Sequence, residues 1–479
     1  MLAKQNTSRT RLKHYPYVII GAGTTALNAM EAIFEEDPQA QVLMLTSEHT
    51  LPRFDVYTKK GALAPDLMAS YKEWRQHVTS RLEDEPASFV THTFNLQLGM
   101  KSLKLDSERR TLIMDDDKEV TFDRCLIATE GKPRQFYVLD SEKSSYFLRD
   151  RINTLSNLFD FEALSEVQQS LGVRHVTVVG GGFLGTEIAL ACAKRGMAVA
   201  QVYAETAPLC RHLPIYLALE VQSRLKAHGV MPIAERLVTD VRSGDPDEEE
   251  DRDKIHVTMM GWKTDNFSTE YLVLASTHID PVVDVGKESG LEIDAANGGI
   301  LVNGQLEAVC GIYAAGACAS YHDKALGRRR VDMFDHSVAS GKLVGKNMAL
   351  RNTRGASYRY KRRRTRRGAG TDREGKIGHL YNYQPVFESH LAKLDVHIQG
   401  VGEVDSTLRT VGVWVEGDKG GEGSHVPPGN PKLTRGIVYY LKGSTIVGMM
   451  LWNAGDLVDK VSNRILLGPQ SALLHSGDG

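Results

Sequence analysis

Two glycine clusters, each followed at a distance by an acid, are the residues of this 479-residue chain best suited to chemistry. The first is Gly21-Ala-Gly-Thr-Thr-Ala26, with Glu48 downstream; the second is Gly180-Gly-Gly-Phe-Leu-Gly185, with Glu205 downstream. In such a run the first glycine (Gly21, Gly180) permits a tight turn, and the second (Gly23, Gly182) removes the side chain that would block a pyrophosphate. The small third residue (Ala26, Gly185) lets a helix close on a strand. The first N–H groups of that helix lack partners of their own and receive phosphate oxygens. An acid about 20 residues on accepts hydrogen bonds from ribose hydroxyls. The chemistry implied is the binding of two dinucleotides. At Glu205 the negative charge favours the free ribose of NAD over the 2′-phosphate of NADP.

Such a loop works only between a strand and a helix. Tyr17-Val-Ile-Ile20 is a β-branched apolar run that reads as a buried parallel strand, followed by a helix over 27–36 and a second strand over 41–46. The second cluster repeats the order, with a strand over 175–179, a helix over 186–195 and a strand over 198–203. Residues 124–131 and 272–276 read as strands closing the two halves, and a late strand over 310–316 ends in Gly316. The fold class expected is α/β: two Rossmann-like dinucleotide-binding domains, one inserted into the other as in glutathione reductase, plus a C-terminal α/β domain.

Composition narrows the remaining classes. With 58 Lys+Arg against 60 Asp+Glu, bulk charge argues for neither nucleic acid nor a membrane surface. No apolar run reaches the roughly 18–20 residues a spanning helix needs, so no membrane span is expected. The five cysteines form no C-x-x-C pair, which removes a thioredoxin-like redox motif and zinc spacing and suggests buried thiols in a reducing compartment. No Ser-His-Asp or metal-ligating constellation stands out; Asp335-His336 fits an acid–base pair or a capping Asp beside a packed His. Residues 1–13 are basic and free of acids, which fits the end of an organellar transit peptide or a solvated tail. Residues 245–253 read as an acidic hairpin loop and 416–432, rich in Gly and Pro, as a disordered loop. Residues 357–367 hold seven basic residues and two tyrosines. Arg359 to Arg367 could hold nucleic acid, with Tyr358 and Tyr360 stacking on bases, or act as a nuclear-import signal; a flexible basic loop is the alternative.

Several stretches together resemble the apoptosis-inducing factor family: Gly180-Gly-Gly-Phe-Leu-Gly-Thr-Glu187, Leu326-Gly-Arg-Arg-Arg-Val331 with Asp335-His336, Thr410-Val-Gly-Val413, and residues 448–453 with Leu451-Trp452-Asn453. The resemblance implies an FAD-binding domain in two segments (14–150 and 280–350) around an NAD-binding domain (151–279). It further implies a basic insertion (351–378) and a C-terminal dimerisation or interface domain (379–479). It implies an NADH-dependent flavoprotein oxidoreductase, in which hydride passes from NADH to FAD, and a homodimer promoted by reduction. A mitochondrial setting (intermembrane space or matrix), a mitochondrial protein partner, and roles in respiratory-chain assembly or cell death with nuclear translocation follow from the same likeness. By position, Lys60 and Glu187 match an ion pair beside the flavin, and Phe183 matches a ring near the nicotinamide.

The departures concentrate on the flavin side. The late strand ends Gly316-Ala317 where Gly-Asp is the usual anchor, and the Ala-Thr-Gly-Gly turn reads Ala128-Thr-Glu-Gly131. Asp55 stands for an arginine, His278 for a glycine, Met333-Phe334 for two histidines, and Glu388 for a tryptophan. Each lost hydrogen bond to the flavin removes about 1–3 kcal/mol. Several such losses together define the alternative function: a protein with a weakened flavin site, or a non-enzymatic scaffold or assembly factor of a mitochondrial complex, with or without RNA.

Overall fold

A computed structural model describes residues 13–47, 93–115, 118–134, 146–155, 158–245, 247–261, 264–275, 278–323, 327–364, 378–383, 385–415 and 433–458. Side chains from 351 to 364 lie outside that description. The chain divides into two compact units: residues 1–53, 74–131 and 281–383 form the first, and 54–73, 132–280 and 384–479 the second.

In the first unit the apolar run near the start becomes the strand Lys13–Ile20, which pairs in parallel with Gln41–Leu45 on one side and Glu119–Ile127 on the other. Thr93–Gln97 extends one edge and Ile312–Ala314 the other, both also parallel. The chain thus runs outward from the first strand, then returns to its opposite side. The carboxyl end of Lys13–Ile20 is therefore the switch point where this architecture opens a crevice. The helix Thr24–Glu36 buries Ala26, Ala29, Met30 and Ile33, an i, i+3, i+4, i+7 stripe that seats it on the sheet. Against it lies the 31-residue helix Phe334–Arg364, approaching so closely that a Cβ at Gly341 or Gly345 would strike the carbonyls of Thr25 or Ala29. That helix carries residues 359–364 in a regular backbone, in place of the flexible loop that is one of the readings the sequence leaves open.

The second unit repeats the parallel pattern in the order Val230–Ile233, Ala198–Val202, His175–Val179, Tyr271–Leu274, Ile152–Asn153. Its helix Phe183–Lys194 follows the central strand. Leu237–Ser243, Ile255–Met260 and Thr264–Thr269 form an antiparallel sheet, and the acidic residues 245–253 connect the first two as the expected hairpin loop. The C-terminal stretch forms a five-stranded antiparallel sheet in the order Val386–Leu391, Val396–Gly402, Thr445–Trp452, Gly436–Lys442, Arg409–Trp414. Residues 416–432, read as a loop, lie outside the described residues.

Both nucleotide helices start earlier than periodicity suggests, at Thr24 rather than 27 and at Phe183 rather than 186. The glycine motifs therefore supply the first helical turn itself. Cys125, Cys192 and Cys318 are buried, but Cys310 is exposed because it sits in the tight turn between Glu307–Val309 and Ile312–Ala314.

Two candidate dinucleotide sites

The two glycine loops are built by the same backbone bonds. Gly21 follows its strand at φ +114° and Gly180 at φ +135°, left-handed values that an L side chain rarely adopts. The Gly21 N–H donates to Leu45 O (2.7 Å) and the Gly180 N–H to Val202 O (2.8 Å). Ala128 and Ala275, at the ends of the closing strands, donate to Ile20 O (2.7 Å) and Val179 O (2.9 Å). A Cβ at Gly21 would strike Ala128 O, and one at Gly180 would strike Ala275 O. The third motif residue is packed tight in each: Ala26 is fully buried, and a Cβ at Gly185 would strike Gly180 O. Gly23 and Gly182 are the extended residues that open the helices, and their carbonyls accept from Leu27 N and Thr186 N, both at 3.0 Å. In the second loop the buried Gln201 adds a brace, its Nε2 donating to Gly180 O at 3.0 Å.

What stands in front of the first helix is different. The Glu130 carboxylate reaches the opening turn, where Oε1 accepts from the Thr24 N–H at 3.0 Å. A Cβ at Gly23 would coincide with that carboxylate. The space that Gly23 clears for a pyrophosphate is thus held by an anion of the chain itself. Glu130 is steered there by its backbone: Thr129 Oγ1 donates to Val282 O (2.6 Å), and the Val282 N–H donates to Glu130 O (3.1 Å). The helix contributes no acid of its own in its first turn.

On the far side of this cradle Gly316 adopts φ +73°, and its N–H donates to Ser340 Oγ at 3.0 Å. Ala317 presents a buried methyl where a carboxylate would anchor a ribityl chain. Facing Gly316, the Thr25 hydroxyl is buried without a hydrogen-bond partner. His336 is fully buried, stacked on Tyr321 (5.2 Å between centroids) with Nδ1 2.7 Å from the Tyr381 hydroxyl and Nε2 3.4 Å from Gly316 O. A carbonyl only accepts, which places the proton on Nε2 and makes Tyr381 the donor to Nδ1. Burial pushes the His336 pKa down to about 4, so the ring is neutral at neutral pH and serves as a packed histidine. Asp335 falls within the first turn of its helix rather than at the cap.

In the second unit Phe183 opens its helix inside an aromatic group, stacked on His212 (5.2 Å, 24°) and tilted against Phe387 (5.2 Å, 47°). Phe387 and Ser389 are alternate residues of one strand and so share a face. Ser389 Oγ donates to Glu187 Oε1 at 2.6 Å. Desolvation raises the Glu187 pKa to about 7, and the Ser389 bond opposes part of that rise. Glu388 points to the other face and pairs with His397 Nε2 at 2.7 Å, which explains how an acid stands where an aromatic residue was expected. Glu205 follows its strand as predicted, and its Oε1 accepts from Arg211 Nε at 2.7 Å. Arg211 Nη1 donates in turn to His278 Nε2 at 3.1 Å. Glu48, Lys60 and Asp55 lie outside the described residues. His212, Phe387 and Ser389 were not singled out by spacing; the strand alternation of Phe387 and Ser389 is the signal that finds two of them.

A phosphate-bearing cofactor fits the first cradle in kind. The turn, the cleared Gly23 position and the Thr24 N–H already hold an anion, with the Glu130 carboxylate as stand-in. The second cradle has the same turn, and among the described residues no carboxylate stands at its opening N–H groups.

Comparison with known proteins agrees with this construction. A family model described as pyridine nucleotide-disulphide oxidoreductase matches residues 15–341. The chain is 29% identical over 466 residues to apoptosis-inducing factor 1, mitochondrial, of Dictyostelium discoideum, covering 95% of this chain and 79% of that protein. It is 29% identical to a putative apoptosis-inducing factor 1, mitochondrial, of Drosophila melanogaster, covering 92% of this chain and 62% of that longer protein. Among solved structures, putidaredoxin reductase in covalent complex with putidaredoxin matches with a TM-score of 0.68 at 16% identity, covering 95% of this chain and 93% of that one. A ferredoxin reductase from Rhodopseudomonas palustris matches at 0.67 and 18%, covering 95% and 96%. These structural likenesses establish the fold. The cofactors of this oxidoreductase class are FAD and NAD(H). With the model spanning more than half of the sequence, the chain belongs to the pyridine nucleotide-disulphide oxidoreductase family, as a divergent flavoprotein reductase similar to apoptosis-inducing factor.

Proposed function

We propose that the chain works in mitochondria as an NADH-dependent reductase whose first cradle takes FAD and whose second takes NADH. The observation that carries this is the repetition of one turn, at Gly21 and Gly180, against matching alanine carbonyls. When bound, FAD accepts a hydride from the nicotinamide. The chain's own residues bind and orient. Gly21, Gly23 and Ala26 receive the FAD pyrophosphate, with Gly316 lining the cradle's far wall and Glu48 on the ribose. Gly180, Gly182 and Gly185 receive that of NADH, with Glu205 on its ribose. Phe183 presents its ring beside the nicotinamide, and Glu187, with Lys60, sets the charge next to the flavin. The test is an absorbance spectrum of purified protein between about 350 and 500 nm, a window set by flavin chemistry. Flavin bands that bleach on anaerobic addition of NADH are expected; a colourless protein that takes up no added FAD sinks the proposal.

Homodimer formation on reduction, a mitochondrial protein partner and a role in respiratory-chain assembly or cell death extend this reading from its apoptosis-inducing-factor relatives. A nucleic-acid contact is supported by the seven basic residues within 357–367, which continue a helix as far as Arg364. Binding of this kind weakens steeply with salt. Neutralising the basic residues from Lys361 to Arg367 should remove it, and equal binding by that variant rules the contact out. Nuclear translocation would use the same basic run.

A further inference from the structure

We infer that Glu130 is an internal competitor for the flavin pyrophosphate, and that it sets how tightly the first cradle takes FAD. This rests on the assignment of that cradle to FAD. The carboxylate is bonded to the opening N–H of the helix (3.0 Å to Thr24 N) and occupies the volume that Gly23 vacates. A helix N-terminus carries about half a positive charge, enough to favour one anion there. A pyrophosphate and the Glu130 carboxylate cannot share that position, and bringing both to it adds like-charge repulsion to the overlap. The Glu130 carbonyl accepts from the Val282 N–H and the neighbouring Thr129 hydroxyl donates to the Val282 carbonyl, so the backbone at Glu130 is held and the exchange is a rotation of its side chain.

Two further observations point to a competitor rather than to a part of the cradle's own architecture. The second cradle is built by the same turn and the same carbonyl contacts, and the residue two beyond its matching alanine is Thr277, which carries no charge. Where the cradle faces Gly316, Thr25 is 1% exposed and its hydroxyl has no partner, so this wall carries a polar group that the chain's own described residues leave unsatisfied. A tethered occupant acts by population: the apparent dissociation constant equals the intrinsic one divided by the fraction of molecules in which the site is open. If the carboxylate is bonded in nine molecules of ten, apparent affinity falls about tenfold.

The experiment is a titration of flavin-free full-length protein with FAD, followed by quenching of flavin fluorescence. It compares the natural chain with Glu130→Gln, which keeps size and loses charge, and Glu130→Ala, which loses both. Circular dichroism establishes that each variant is folded. FAD binding tighter by about tenfold in Glu130→Ala, with Glu130→Gln between it and the natural chain, is expected. In the absence of FAD, Glu130→Ala should also unfold at lower temperature than the natural chain, since an N-terminal anion bond is lost. FAD affinity unchanged or weakened in both folded variants overturns the competitor while leaving the flavin assignment standing. No FAD uptake by any of the three folded proteins overturns both.

Discussion

The loop at Gly21 and the loop at Gly180 have one architecture and two states. Each turns at a left-handed glycine under an alanine carbonyl, and each opens its helix on an extended glycine. At the first, the chain supplies its own anion from Glu130; at the second, among the described residues, no carboxylate stands at the N–H of Phe183. Backbone sterics therefore make a cradle, but the residues that return to it from the closing strand decide what fills it. At the position two beyond the closing alanine the sequence has Glu130 in the first and the uncharged Thr277 in the second.

Closing each cradle in turn has the largest expected effect. Valine at Gly21 or Gly180 would sit at positive φ, which costs about 1–3 kcal/mol for a residue with a side chain. It would also drive its Cβ into Ala128 O or Ala275 O. Gly180→Val should keep its flavin and lose NADH-driven bleaching at least about a hundredfold, since roughly 3 kcal/mol is that factor. Gly21→Val should purify without flavin yet still bind NADH by calorimetry. Loss of both cofactors in either folded variant would show that the two loops do not act separately.

A smaller effect distinguishes the two units by pH. Glu187 in the second unit is held at about 7 against an ordinary 4.5, chiefly by desolvation. A raised carboxyl binds its proton more tightly when folded. Its contribution is complete below pH 4.5 and lost as pH climbs to 7, roughly 3 kcal/mol over the window. His336 in the first unit is held at about 4 against 6.5, again by desolvation, and has the opposite sign. The unfolded chain takes the proton that the folded one refuses, so stability falls as pH drops from 6.5 to 4. Urea unfolding from pH 4.5 to 7 should show a falling contribution that Glu187→Gln abolishes. A slope unaltered by Glu187→Gln removes Glu187 as its source. Ser389→Ala should shift that midpoint upward, because the Ser389 hydroxyl bonds the ionised form. Tyr381→Phe should cost about 1–3 kcal/mol by leaving the buried His336 Nδ1 without its donor; a smaller loss shows that the ring repacks.

The contrast was legible in sequence only where chemistry is local. Strand, glycine turn and helix come from short-range sterics and apolar periodicity, so Gly21, Ala26, Gly180 and Gly185 stand where spacing put them. The missing acid at Ala317 and the odd acid at Glu130 were also visible, as departures from a pattern. That Glu130 turns its carboxylate onto Thr24 was not, because the contact joins positions 106 apart and depends on the Val282 bonds. The aromatic group of Phe183, His212 and Phe387 was hidden for the same reason. Strand periodicity tells which residues share a face but not which helix that face meets. Asp335-His336 resolves between its two readings: His336 is the packed ring, and Asp335 is a first-turn acid of its helix.

The mildest test concerns the edge of the second cradle, where Glu205 is held by Arg211. The pair is partly exposed, so its direct contribution to stability is at most about 1 kcal/mol. Its effect on specificity is larger than its effect on the fold. With Glu205 present the guanidinium is paired and offers no free charge to a 2′-phosphate at the proposed NADH site. Glu205→Ala removes that pairing and frees Arg211, whose planar fork suits a phosphate. The ratio of kcat/KM for NADPH over NADH should therefore rise about three- to tenfold, and Arg211→Ala in the same background should reverse the gain. Thermal unfolding should move little in either variant. A ratio that stays put in Glu205→Ala would mean that the acid serves Arg211 alone, and that ribose recognition lies on residues other than the one spacing selects.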